Sequence, residues 1–287
     1  MELWFVLAIL VPLLWGCGGI FAKLSTPKLG VAKIAVLIVV VNGTMYFLGF
    51  YYWHNKVAIA LGDGVLAAIS CMFSVIAYLC FFESIVNGKI AIAGTITAAY
   101  PVLTVVGALV FLSETVTPTQ TMGLIAMIGG VVVLSYEPNP RSEHATPRSS
   151  VFFALLAFVF WGIWGLTTKM AINAVGPGNI LGFYAISSCA VPLVYLSFRG
   201  RQLRRRNPSR SAWVFGVTGL ATNVIGTFCL SFALEEGYAS LVIPISSAYP
   251  LITVILAVAV LHEKLNRLHT IALAFVIAGL VVIGIAE

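Results

Sequence analysis

The stretch WGCGGIFAK, Trp15 to Lys23, returns as WGIWGLTTK, Trp161 to Lys169, displaced by 146 residues. Further along, AAYPVLTVVGALVFLSE, Ala98 to Glu114, returns as SAYPLITVILAVAVLHE, Ser247 to Glu263, displaced by 149 residues. A single change of loop length between the two matches accounts for the difference in displacement. At the second displacement Gly88 also maps to Gly237 and Gly130 to Gly279. Ordered matches of this length identify a duplication. It divides the chain into a first repeat over 1–137, a linker over 138–150 and a second repeat over 151–287.

The repeats sit in a chain that is built for a bilayer. Hydrophobic residues make up 60% of the 287 and charged residues 9%, with a mean hydropathy of +1.04; a soluble domain carries about 25% charged residues. Apolar runs between charged or Gly/Pro breaks predict spans near 3–23, 32–53, 64–84, 90–112, 119–136, 151–170, 179–198, 211–233, 239–261 and 267–286. Runs of about 20 apolar residues match a helix crossing about 30 Å of hydrocarbon and are too long for barrel strands. The expected fold class is therefore an all-α integral membrane protein with ten transmembrane helices. The polar intervals, Glu137 to Ser150 and Arg199 to Ser211, are too short to fold alone. The run Leu3 to Ala22 lacks the basic flank and small-residue cleavage site of a secretory signal, and its copy in the second half marks it as a mature helix.

Five helices per repeat is an odd number, so the second copy enters the membrane in the opposite sense. Inverted repeats give two packings of similar energy, one open to each side, around a site near the midplane. That arrangement points to a secondary transporter working by alternating access on a small-molecule substrate. Basic residues set the orientation. Lys23, Lys28 and Lys33 flank the first loop, Lys89 the third, Arg141 and Arg148 the fifth, six arginines from Arg199 to Arg210 the seventh, and Lys264 and Arg267 the ninth. Only Lys56 and Lys169 lie opposite. Odd loops are expected in the cytoplasm and both termini outside. The arginine run then reads as a topology anchor; with no aromatic residues interleaved, it predicts no nucleic-acid partner.

The Trp-Gly in the first helix of each half, the Tyr-Pro within the fourth, the Glu that follows it and the Gly in the fifth resemble the drug/metabolite transporter superfamily, specifically its EamA-type ten-helix members. The resemblance covers nearly the whole chain. It implies export or exchange of amino acids and other small metabolites across the bacterial inner membrane, driven by a gradient. It also implies cytoplasmic termini, the reverse of the charge count.

Several residues are candidates for the site. Pro101 and Pro250 follow Tyr100 and Tyr249 in mid-helix, where proline removes a hydrogen bond and kinks or breaks the helix. Freed carbonyls then need partners from nearby hydroxyls or a substrate. Thr95 and Thr97 precede one proline, Ser246 and Ser247 the other; in the bland alternative these hydroxyls bond back to their own helix. Trp15 and Trp161 lie deep in their spans and suit a cavity wall or core packing equally. Asn42, Tyr78 and Asn223 are further mid-span polar candidates. No Asp or Glu falls at a predicted helix centre; Glu83 sits deepest and is the proton-coupling candidate. A neutral or zwitterionic substrate, such as an amino acid, fits this better than a permanent cation. At the helix ends, Lys23 with Glu263 and Lys169 with Glu114 are expected to share faces as cross-repeat gating pairs.

Competing classes find less support. The chain has no HExxH, no paired Asp motif and no CxxC spacing, and its histidines fall in loops or at helix ends, so no catalytic constellation, metal or cofactor is expected. Cys17, Cys71, Cys80, Cys189 and Cys229 read as packing residues. A lipid-handling or structural membrane protein is the other rival, against which kinked, repeated helices count. The protein is expected in the bilayer as a monomer or homodimer.

Overall fold

The structure is a computed structural model that describes residues 2–87, 90–135, 148–204, 208–252, 255–256 and 267–285. The described residues are helical apart from short connections and caps. The first half contains α1 (Leu3–Leu29), α2 (Val31–Leu37), α3 (Gly43–Trp53), α4 (Leu61–Asn87), α5 (Ile90–Ala98), α6 (Tyr100–Phe111) and α7 (Pro118–Ser135). The second contains α8 (Arg148–Val175), α9 (Pro177–Arg199), α10 (Arg210–Glu236), α11 (Ala239–Ser247) and α12 (Arg267–Ile285). Six of these rods are long and apolar enough to cross a membrane: α1, the α2–α3 rod Val31–Trp53, α4, α8, α9 with its extension, and α10. Large apolar side chains such as Phe111, Ile125, Ile186 and Phe198 stand exposed on the outside of the bundle, as lipid contact requires.

Most helices outrun the hydrophobic spans. Lys23 and Lys169, expected to end the first and sixth helices, are instead followed by more than a turn of helix. The real terminators are Gly30 and Gly176, with φ of 75° and 86°, a left-handed conformation that glycine adopts without penalty. They are 146 residues apart, so each copy of the repeat turns its first helix into its second through one equivalent residue.

The two halves also break their fourth helices alike. Pro101 has no N–H, and α5 gives way to α6 at Ala99, whose N–H donates to Ile96 O at 3.4 Å while Val102 N–H donates to Ala99 O at 3.1 Å. In the second half Ala248 N–H donates to Ile245 O at 3.1 Å and Leu251 N–H to Ala248 O at 3.0 Å, just past the end of α11. The tighter i to i+3 bonds reconnect a backbone that proline interrupts. A third irregularity has no counterpart in the other half: a π-helical turn, Ile38–Asn42, joins α2 to α3.

Packing follows the duplication. Among the described residues the most extensive interfaces are α1 on α10, α4 on α8, and α7 on α12. Exchanging the halves turns the first into the second and leaves the third unchanged. Small residues let the backbones approach: a Cβ on Gly18 of α1 would lie 2.9 Å from Gly219 O of α10. Hydroxyls link α4 to α8, where Ser70 and Thr168 share a 2.8 Å bond and Ser84 Oγ donates to Ser150 O at 2.8 Å. All five cysteines are free, and only Cys71 is fully buried.

Candidate functional site

Where the mid-parts of α1, α4, α8, α9, α10 and the α2–α3 rod converge, they leave a cavity of about 280 Å³. Its wall is largely aromatic. Trp15 and Tyr249 meet with ring centroids 6.4 Å apart, and Trp161 and Tyr100 meet at 5.9 Å. These are symmetry-related contacts, the tryptophan of each half resting on the tyrosine of the other. Trp15 Nε1–H donates to Asn223 O at 3.1 Å, which fixes its ring toward the space between α1 and α10.

Of the residues singled out from sequence, Trp15, Asn42, Tyr78, Tyr100, Trp161, Asn223 and Tyr249 line this cavity, together with Pro250 and Lys23. Tyr78 and Asn223 are also within hydrogen-bonding reach of each other. The hydroxyls beside the prolines are elsewhere. Thr97 Oγ1 donates to Ala93 O at 2.8 Å and Ser247 Oγ to Pro244 O at 2.7 Å, each within its own helix. Ser246 is fully buried away from the cavity. The Thr95 side chain lies outside what the structure describes.

Sequence reasoning overlooked Tyr46, Ser74, Trp164, Tyr184, Ser188 and Thr227, all of which line the cavity. Trp164 Nε1–H donates to Tyr184 Oη at 2.8 Å, and Tyr184 stacks on Tyr46 at 5.1 Å. The repeat register contains the signal that finds three of them. A displacement of 149 carries Ser74 onto Asn223 and Tyr78 onto Thr227, and one of 146 carries Asn42 onto Ser188. Each candidate polar residue thus has a partner at the matching place in the other half, and both members of every pair line the cavity.

The two ends of the cavity differ. Its lining continues to Lys23, Ser25 and Thr26 of α1 and to Ile85 of α4, near the α1–α2 corner. Glu114 and Lys169 are not part of the lining and serve the corner between α10 and α11. The Glu114 carboxylate accepts from the N–H groups of Ala239 and Ser240, both at 2.8 Å, and from Ser240 Oγ at 2.7 Å. It caps α11, where carboxylate charge is favoured by the free N–H groups of a helix start. A left-handed residue, Ser113 with φ 54°, ends α6 and presents Glu114 to that corner. Lys169 Nζ donates to Leu234 O at 2.6 Å and Glu235 O at 3.5 Å, so it caps the end of α10.

These contacts bear on the residues proposed at the helix ends. Lys169 and Glu114 share a face and lie close enough to interact electrostatically, but each is bonded to backbone groups of the same corner rather than to the other. Glu83 and Glu114 are both buried, and their oxygens accept hydrogen bonds from residues distant in sequence. For Glu83 that residue is Tyr195, whose hydroxyl donates to Oε1 at 2.6 Å, and Glu83 is not part of the cavity wall. The other expected pair cannot be compared, since Glu263 lies outside the described residues. Among the described residues no group of His, Cys, Asp and Glu is arranged to hold a metal ion.

Comparison with known proteins places the chain. The sequence model of the EamA-like transporter family matches twice, over residues 2–136 and 148–285. An uncharacterized protein of Methanocaldococcus jannaschii is 28% identical over 141 residues; the match takes in 98% of that protein but 48% of this chain, so this relative is about half as long. A protein of known crystal structure shares the fold along 99% of both chains, with a TM-score of 0.79 and 17% identity.

Proposed function

This chain belongs to the EamA-like transporter family, and from that membership we propose that it is a secondary transporter that exports or exchanges a small neutral or zwitterionic metabolite, such as an amino acid, across the cell's inner membrane. Ten transmembrane helices form two inverted five-helix repeats over 1–137 and 151–287, joined by the linker 138–150. The Arg199–Arg210 segment is cytoplasmic and both termini are external. Alternating access arises as the two halves exchange roles around the shared cavity.

One observation carries the reading: a central cavity walled by residue pairs related by the repeat, Trp15 with Trp161 and Tyr100 with Tyr249. A site built this way has an equivalent surface to offer to each side of the membrane. The exchange symmetry of the α1–α10 and α4–α8 interfaces supports it, and so does a relative of half length, which makes one repeat a unit in its own right. The lining supports the substrate class. Among the described residues that form it, Lys23 is charged and none is Asp or Glu, so a permanent cation has no counter-charge there. In this reading the cavity opens toward the Lys23 end, and Glu114 and Lys169 belong to the end that is shut. Uptake of labelled neutral amino acids into proteoliposomes tests the function. Saturable flux is expected, and its absence across a broad panel of small metabolites overturns the proposal.

A further inference from the structure

Four residues of the cavity wall, Thr26, Asn42, Tyr100 and Ser188, each have a buried side-chain oxygen that no other protein group hydrogen-bonds; among the described residues the one other such oxygen, Ser246 Oγ, lies away from the cavity. Elsewhere the hydroxyls of Ser70, Ser84, Ser150, Thr97, Thr104 and Ser231 are all bonded. Buried polar atoms are rarely left unpaired, because an unmade hydrogen bond in a low-dielectric interior is costly. Four around one space therefore need an explanation that belongs to that space.

Asn42 and Ser188 are the informative pair. They are 146 residues apart, so they occupy the same position in the two repeats, a relation that Gly30 and Gly176 show still holds in this region. Asn42 is 8% exposed and Ser188 0%. Their neighbours mark a crossing point: a Cβ on Gly43 would lie 3.0 Å from Cys189 Sγ, so the α2–α3 rod and α9 touch one residue beyond the pair. Asn42 also closes the π-helical turn Ile38–Asn42. Such turns cost helix stability and recur at functional sites, and this one is absent from the equivalent part of α9.

We propose that Asn42 and Ser188 form a hydrogen-bonding subsite of the cavity that receives an uncharged N–H or O–H donor of the transported solute. The amide Oδ1 of Asn42 can only accept, so the group it receives must donate. The surroundings favour an uncharged donor, such as an amide or hydroxyl, since no described acidic side chain lines the cavity to balance an ammonium there. The inference deepens the transporter reading and rests on it. Sites that hydrogen-bond a substrate group discriminate strongly against an isostere without it, because the site's own polar atoms then stay unpaired. Selectivity at this crossing point is the consequence.

Asn42→Leu and Ser188→Ala separate a substrate role from a structural one, and Ser188→Ala guards against misfolding because it only removes an atom. If the oxygens serve a solute, either variant removes a group that no other protein group holds. Its melting temperature in detergent, without solute, then stays at or above that of the wild type. Uptake of labelled neutral amino acids into proteoliposomes falls roughly tenfold or more in the same variants. The wild-type protein prefers threonine to valine, or glutamine to methionine, by a similar factor. A lower melting temperature in both variants, uptake retained in both, or equal uptake of both members of each solute pair overturns the subsite and leaves the transporter reading intact. A wild-type protein that carries none of the probes overturns the transporter reading and the subsite with it.

Discussion

The indole of Trp15 meets the phenol ring of Tyr249 nearly edge-on, with centroids 6.4 Å and planes 72° apart. Its counterpart, Trp161 on Tyr100, is closer at 5.9 Å and less steep at 50°. The same two contacts are thus made in two slightly different geometries on either side of one cavity. Among the described residues only Trp15 adds a hydrogen bond, to Asn223 O, and that carbonyl is also bonded by Thr227 Oγ1 at 3.1 Å.

Truncating either indole opens the cavity wall. Trp15→Ala and Trp161→Ala are each expected to lower saturable uptake roughly tenfold in proteoliposomes, because a solute held against a ring loses contact worth about 1 kcal/mol or more. The phenylalanine variants differ from each other. Trp15→Phe loses a hydrogen bond of about 1 kcal/mol that Trp161→Phe keeps no equivalent of, so it should unfold at the lower temperature of the two.

Glu114 and Lys169 are predicted to resist charge reversal. Hydrogen bonds to charged groups contribute about 1.5–3 kcal/mol, so Glu114→Gln, which halves the acceptor oxygens at the start of α11, should lower thermal stability by about that much. The double variant Glu114→Lys with Lys169→Glu points an ammonium at N–H groups and a carboxylate at carbonyls. It should therefore be at least as unstable as either single reversal in thermal unfolding. Recovery in the double variant would mean that the two side chains pair directly.

Glu83 is buried against Tyr195 and outside the cavity wall. Glu83→Gln keeps an acceptor for the Tyr195 hydroxyl, so uptake should remain within a few-fold of the wild type. Measured at pH 6 and pH 8, the ratio of the two rates should match the wild type. Loss of a pH dependence that the wild type shows would establish Glu83 as the proton-coupling group.

Reporter fusions in the Arg199–Arg210 segment are expected to be cytoplasmic, and fusions at either terminus external. Retention of Lys and Arg on the cytoplasmic side is the physical basis, and the six arginines there make it strong. An external reading for that segment contradicts the orientation and leaves the helical fold untouched.

How much of this was legible depended on the range of the interaction. Helices and the duplication are written locally, in apolar run length and repeated motifs, and they could be read directly. The aromatic wall was legible too, because Trp15 and Tyr249 recur as Trp161 and Tyr100 at fixed displacements. Burial of Glu83 and Glu114 was not, since Tyr195 and the start of α11 are more than a hundred residues away in sequence. Thr97 and Ser247 misled for the opposite reason: their own helices supply carbonyls three and four residues back, and local bonds won over the cavity. The first helix of each half runs past its charged residue, Lys23 or Lys169, because Gly30 and Gly176 are the actual breaks.

Alternating access can be tested without knowing the solute. Ser74 lines the cavity on α4, and its repeat partner Asn223 lines it on α10. In a protein with its native cysteines replaced, Ser74→Cys is reconstituted in sealed vesicles and exposed to a membrane-impermeant maleimide from one face or the other. Reaction from both faces is the predicted result, because the site must open to each in turn. Reaction from a single face, whatever the solute added, contradicts the account and leaves a one-sided pocket in its place.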